Sequence, residues 1–392
     1  VGFVTVVGIG AEGWDGLTGV ARRALGEAEV LLGSKRQLDL VPSDIAAERV
    51  AWPSPMMPAV PGLLGMYRDR IVCVLASGDP MFYGIGSKIG PVRVVSHPSS
   101  VSLACARLGW AVEDVQVIST VARPVELLNA AIHPGRRLLV LSENGDTPGK
   151  VAALLVERGY GESVMTVLER LGDEAEKHVE AKAVQWQGAS AALNVIAVEC
   201  KGSALLPNVP GLPDDAYESD GQLTKREVRA VTLSRLEPVP GQLLWDVGAG
   251  AGSIAIEWSR THPSCRAIAV ERDPARADRI ASNAGNLGVP GIEVRRATAP
   301  VEGLEQPDAV FIGGGLTVPG MVEWAWTALK PGGRLVVNAV TMESEVVVAR
   351  WHAELGGDLV RIAVNRGSPV GGFTGWRPLM PVTIWAVTKE DQ

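Results

Sequence analysis

The chain has 392 residues, room for two or three domains, and its 46% hydrophobic and 21% charged residues match a globular protein. A net charge of −7 disfavours a sequence-independent grip on nucleic acid, which needs clustered Lys and Arg. Four scattered cysteines and five histidines without ligand spacing argue against a disulfide framework or a metal site, and no apolar run approaches the ~20 residues of a membrane span. The stretch Val1-Gly-Phe-Val-Thr-Val-Val-Gly8 has no basic region before its apolar run, so it reads as a strand and not a signal peptide, and a cytoplasmic enzyme is expected. Residues 3–7 are that strand, followed at once by Gly8-Ile9-Gly10. A helix over 17–25 and a short strand over 30–32 come next. Residues 71–76 form a buried strand broken by Ser77-Gly78-Asp79-Pro80, then a strand over 92–95 and a helix over 99–108 with a serine start. A second cluster has strands near 115–118, 137–141, 164–168 and 193–199, with helices near 124–132 and 148–158. Strands alternating with helices define an α/β chain.

From Gly202 the periodicity stops. Pro207, Pro210, Gly211, Pro213, Asp214 and Asp215 mark an inter-domain linker, placed at 204–220. The expected domains are therefore 1–203, with lobes of about 1–113 and 114–203, and 221–392. Thr224-Lys-Arg-Glu227 matches a capping box with Thr224 as N-cap. Strands follow near 243–247, 267–270, 292–295, 309–312, 334–338, 359–364 and 382–387. Seven strands with helices between most of them predict one doubly wound sheet, Rossmann-like, closed by an antiparallel hairpin at its edge.

The most informative stretch is Gln242 to Glu257. An apolar strand ends at Asp246 and Val247 and breaks into Gly248-Ala249-Gly250-Ala251-Gly252 before a helix-like pattern. A dinucleotide fingerprint has G-x-G-x-x-G with pyrophosphate at the helix start. Here the third glycine comes one position early, Ser253 stands where Gly or Ala belongs, and an acid closes the strand. A second strand ends in Glu271, a carboxylate suited to two ribose hydroxyls. Asp246 beside the loop favours a cation over an anion, so S-adenosylmethionine (SAM), with a sulfonium and no phosphate, fits better than NAD.

These motifs, with Leu223 to Arg229, Ala299-Pro300, Asp308 to Gly315 and Asn338 to Thr341, resemble class I SAM-dependent methyltransferases, and more narrowly the decarboxylating precorrin methyltransferase domain. In the first half, Val7-Gly-Ile-Gly10, Ser77 to Gly84, Ser99 to Ser102 and Leu193 to Ile196 resemble the tetrapyrrole methylase family. The ordered pair resembles the fused precorrin C5,15-methyltransferases (decarboxylating) of cobalamin biosynthesis. That resemblance implies a two-lobed N-terminal fold and one SAM per domain. The substrate would be a precorrin-6 tetrapyrrole, methylated at C5 by the first domain. The second domain would methylate C15 and remove the ring C acetate carboxyl, giving a precorrin-8-type product. It also implies a homo-oligomer. The N-terminal cofactor candidates are Gly8, Gly10, Gly78, Asp79, Pro80, Met81, Ser99 and Ser100. The C-terminal ones are Thr224, Gly248, Ala249, Gly250, Ala251, Gly252, Glu271, Thr298 and Ala299. The family usually has Gly-Asp-Ala-Pro where this chain has Ala297-Thr298-Ala299-Pro300, so the adenine amino group would meet Thr298 Oγ or a backbone carbonyl.

Lys225 and Arg229, four apart on an expected helix, are candidate cations for a substrate rich in carboxylates. Gly313, Gly314 and Gly315, in a turn after a strand, are candidates for the pocket floor. Glu257 has no assignable role. Two other functions stay open: an RNA methyltransferase, which the acidic balance opposes, and a SAM-binding assembly protein with one inactive half.

Overall fold

The computed structural model describes residues 4–90 and 92–390, so Phe3 of the expected first strand lies outside the described residues. The chain divides into two compact units. One comprises Val1–Val125 with Ile132–Ala204, the other Glu126–Ala131 with Leu205–Gln392.

The first unit holds two five-stranded sheets. The first runs, edge to edge, Glu48–Ala51, Val30–Gly33, Val72–Ser77, Val4–Ile9, Arg93–Val95, all parallel. Strands buried on both faces need apolar residues at every position. Side chains accordingly alternate between two core clusters: Val7, Ile9, Leu31, Cys73 and Leu75 pack on one face, Val6, Val30, Leu32, Val72 and Val74 on the other. The second sheet runs Val115–Ser119, Arg137–Leu141, Asn194–Glu199, Val164–Glu169, Lys177–Lys182. Its first pair is parallel and the rest are antiparallel. A 3-10 segment at Val125–Ala130 replaces the α-helix expected over 124–132. Pro124 and the Pro134-Gly135 break leave too few residues to offset helix nucleation.

The second unit holds a seven-stranded sheet: Glu293–Arg296, Arg266–Glu271, Leu243–Val247, Ala309–Ile312, Arg334–Ala339, Val382–Thr388, Asp358–Ile362. The first five are mutually parallel, and Val382–Thr388 is antiparallel to both its neighbours. The closing antiparallel pair is present, but it is not a simple hairpin at the edge. Val382–Thr388 sits inside the sheet, and a separate ribbon of Asn365–Val370 and Phe373–Pro378 interrupts the connection. Trp245, Val247, Ile268 and Val270 face one core cluster; Leu244, Ala267, Ala269 and Phe311 face the other. Asp246, between Trp245 and Val247, shares the second face with the helices Arg226–Leu236 and Ser253–Thr261.

The expected capping box at Thr224 is corrected. The helix begins at Arg226 with Lys225 as N-cap and no side-chain cap. Glu227 pairs instead with Arg366 at 2.6 Å, a charge-assisted contact stronger than a reach back to a neutral N–H. The stretch 204–220 contains no strand or α-helix, yet Leu212 and Tyr217 are buried in a cluster with Ile256, Ala284 and Leu287. All four cysteines are buried and free. Among the described residues no helix is long and apolar enough to cross a membrane, and no group of His, Cys, Asp and Glu could hold a metal ion.

Candidate functional site

In the second unit the site is built where the strand Leu243–Val247 turns into the helix Ser253–Thr261. Gly248, Gly250 and Gly252 all take positive φ, at 69°, 59° and 79°. Gly248 is bound by space as well. A Cβ there would lie 2.7 Å from Gly314 Cα and 2.8 Å from its nitrogen. The Gly313-Gly314-Gly315 turn is thus stacked on the loop, with the Gly313 N–H donating to Val247 O at 3.0 Å.

The first three loop amides are already committed. Gly248 and Ala249 N–H donate to Val270 O at 3.0 and 3.2 Å, and Gly250 N–H donates to Glu271 Oε2 at 2.8 Å. A pyrophosphate site would hold such amides free for the anion. Instead two buried carboxylates border the loop. Glu271 also accepts from Asp273 N–H through Oε1 at 2.9 Å, and each of its oxygens keeps a lone pair. Asp246 accepts the Ala255 N–H at 3.0 Å through Oδ2, at the positive end of the helix. Its Oδ1 is buried with no partner among the described residues. Burial pushes the Asp246 carboxyl up to about 7. The Ala255 N–H opposes the shift and neighbouring Glu271 adds to it. An orphaned carboxylate oxygen beside satisfied amides suits a cationic ligand and repels a phosphate.

Thr298 is exposed just past the strand Glu293–Arg296, where Ala297 N–H reaches Glu271 O at 3.2 Å; Ala299 is buried. Ala251 is buried in the loop, and its carbonyl accepts from Asn283 Nδ2 at 3.0 Å. Thr224 gives its carbonyl to Arg229 Nη1.

Arg229 is corrected as a substrate cation. Its side chain is wholly buried, and Nε meets Glu257 Oε1 at 2.6 Å while Nη1 meets Asp214 Oδ1 at 3.3 Å. Nη2 donates to Leu212 O, and the guanidinium lies 4.7 Å from the Tyr217 ring centroid. Glu257 gathers the remaining donors: Gly211 N–H at 2.5 Å, Leu212 N–H at 3.0 Å and Tyr217 O–H at 2.9 Å. The pair therefore ties the 211–217 stretch to two helices. Lys225 precedes the helix proper and does not share a helical face with Arg229.

In the first unit a cavity of about 440 Å³ lies between the two sheets. Gly10, Gly78, Asp79, Ser99 and Ser100 all line it, while Gly8, Pro80 and Met81 lie outside its lining. Gly8 serves a close crossing, since a Cβ there would lie 2.3 Å from Gly78 O. Asp79 Oδ1 accepts the Met81 N–H at 2.8 Å and fixes the turn; Ser99 caps its helix through Ser102 N–H at 3.1 Å. Above Gly10, His97 Nε2 and Glu12 Oε1 pair at 2.7 Å. Sequence reasoning missed Arg36, Gln37, Asn194 and Arg170, which also line the cavity. Ser34-Lys35-Arg36-Gln37 carries a capping-box spacing that could have located the first two, and Ser34 and Gln37 do form that box.

An acid-bordered glycine loop on a doubly wound sheet defines a SAM-dependent methyltransferase. The tetrapyrrole (corrin/porphyrin) methylase model matches residues 4–185 and the precorrin methyltransferase domain model matches residues 215–389. A precorrin-6Y C(5,15)-methyltransferase [decarboxylating] of Sinorhizobium sp is 46% identical over 99% of this chain and 96% of its own length. Two Salmonella typhimurium proteins match over shorter spans. A cobalt-precorrin-6B C(15)-methyltransferase (decarboxylating) is 34% identical over 43% of this chain and 90% of its own. A cobalt-precorrin-7 C(5)-methyltransferase is 33% identical over 45% of this chain and 88% of its own. The chain belongs to the precorrin-6Y C5,15-methyltransferase (decarboxylating) family.

Proposed function

We propose that this chain methylates a precorrin-6 macrocycle at C5 through its first unit. Its second unit methylates C15 and releases the ring C acetate carboxyl as CO₂, in cobalamin biosynthesis. The observation that carries the reading is the second-unit loop: the Gly248, Ala249 and Gly250 amides are spent internally, and two buried carboxylates border it, one of them with an oxygen left without a partner among the described residues. One SAM serves each unit, with the cofactor residues those named from the sequence, of which Gly8, Pro80 and Met81 shape the first-unit cavity from outside its lining. The domain limits 1–203 and 221–392, and assembly into a homo-oligomer, belong to the same reading.

SAM, when bound, supplies a methyl group activated as a sulfonium. The chain holds the donor and the carbon nucleophile close and in line, which contributes up to roughly 7–11 kcal/mol in ideal systems. Asp246 and Glu271 would hold the donor's cationic and ribose ends. The stacked Gly313–Gly315 turn forms the floor on which the macrocycle rests. The conjugated macrocycle accepts the electron pair left by CO₂, so the chain's task in that step is to orient the carboxylate.

Incubation of the full chain with precorrin-6 species and methyl-labelled SAM, followed by mass spectrometry, should show two labelled methyl groups gained and one CO₂ lost. A single methyl, or none, refutes the reading.

Asp246 makes donor binding pH-dependent. A cation beside it favours the ionised carboxylate, so below about pH 7 binding should expel a proton. Calorimetric titration at pH 6 in two buffers of different ionisation enthalpy should give different heats, and Asp246→Asn should make them equal. Buffer-independent heats for the unsubstituted protein would count against Asp246 as the charge partner. The same raised carboxyl fixes a stability trend for the ligand-free unit. Its contribution is whole below the ordinary value of 3.8 and is lost as the pH climbs through about 7.

A further inference from the structure

We infer that Arg36 and Arg170, one from each lobe of the first unit, grip carboxylates of the macrocycle and set the substrate specificity of its cavity. This rests on reading that unit as the C5 methylase, and it names residues that reading leaves unassigned.

Both arginines line the cavity. Arg36 lies on the helix Lys35–Asp39 of the first lobe, where Nη2 donates to Ser77 Oγ at 2.9 Å. A neutral hydroxyl accepts that one bond and leaves the charge uncompensated. Arg170 follows the strand Val164–Glu169 of the second lobe; among the described residues its guanidinium has neither an ion pair nor a hydrogen bond. Asp79 is the one acidic residue in the lining, and its Oδ1 is held by its own turn. Two guanidiniums thus face a common space, and neither is ion-paired to the one carboxylate there. A planar fork of donors matches a carboxylate better than a point charge does.

The backbone adds an independent sign. Four described non-glycine residues have positive φ, and two of them, Tyr83 at 53° and Arg170 at 50°, line this cavity. Such conformations are strained for a residue with a Cβ and cluster at ligand sites. The other walls suit a flat ring. Trp52, Met56, Phe82 and Tyr83 line the same space, and Phe82 and Tyr83 remain 41% and 51% exposed with their rings edge to face at 5.0 Å. Partly exposed aromatic side chains beside guanidiniums without an ion pair select a planar molecule with carboxylate arms. A small neutral acceptor would use neither feature.

The test uses the full chain with precorrin-6 and SAM, and follows C5 and C15 methylation separately by mass spectrometry. In Arg36→Gln and Arg170→Gln the KM for the macrocycle in C5 methylation should rise about ten- to hundredfold, the worth of one charged hydrogen-bonded contact. The KM for SAM at that site should stay the same, and C15 methylation should proceed at its usual rate, which reports that the chain is folded. Arg36→Lys and Arg170→Lys should recover part of the loss. Unchanged macrocycle KM in both glutamine variants overturns the inference. A rise in the KM for SAM of equal size also overturns it, because the arginines would then hold the cofactor cradle. Absence of C5 methylation by the unsubstituted chain would sink the functional reading, and this inference with it.

Discussion

Arg229→Ala should destabilise the second unit by about 3–5 kcal/mol, the usual consequence of removing one member of a buried ion pair. The variant leaves the Glu257 carboxylate buried among Gly211 N–H, Leu212 N–H and Tyr217 O–H without the guanidinium that pairs with it. It also removes one of the donors to Asp214 and the guanidinium donor to the Leu212 carbonyl. Glu257→Ala should cost a similar amount for the reverse reason, since a guanidinium with no exposed surface would lose its closest counter-charge. At roughly 2–4 °C per kcal/mol for a unit of this size, one component of the calorimetric melt should fall by on the order of 10 °C. The double variant Arg229→Met/Glu257→Leu should recover much of the loss, because an apolar pair removes both charges together. A shift below about 2 °C in each single variant would mean that water reaches the pair.

The second large effect is catalytic. Gly248→Ala should lower C15 methylation and CO₂ release by on the order of a hundredfold while C5 methylation persists, since a misplacement of about 1 Å can carry that penalty. The new Cβ would meet backbone atoms of Gly314 at 2.7 to 2.9 Å, and backbone cannot swing aside as a side-chain tip can. Either the glycine loop or the turn below it must move, and the proposed donor and macrocycle positions separate. The φ of 69° adds about 1–2 kcal/mol for any residue with a Cβ. Unchanged C15 rates would show that the stacking of the two turns plays no part in the reaction.

These expectations draw unequally on the sequence and the fold. Strands at Arg137–Leu141 and Ala309–Ile312 fall on the expected residues because a strand buried on both faces shows as an unbroken apolar run. Glu48–Ala51 and Lys177–Lys182 escaped notice because each is an edge strand with charged, mostly exposed side chains and no apolar run. The helix Met56–Met66 escaped because Pro61 lies inside it and its apolar residues show no face. The glycine loop was legible because acid, glycines and helix are consecutive. Arg229 was misread for the opposite reason. Spacing along one helix places a residue on a face, but the carboxylate that claims it comes from another helix. Arg36 and Arg170 carry no local signal as a pair, since only the folding of two separate lobes brings them to one cavity.

The insertion of Val382–Thr388 between Arg334–Ala339 and Asp358–Ile362 sets an order of events during synthesis. When Asp358–Ile362 leaves the ribosome, its place beside the nascent sheet does not yet exist, because the strand that joins it to the rest is still unmade. The exposed ribbon Asn365–Pro378 is translated in that interval, and the sheet closes after it. A stop codon anywhere in that ribbon would strand Asp358–Ile362 and leave one edge of Arg334–Ala339 unpaired, an invitation to aggregate, whereas both sheets of the first unit have been translated well before then.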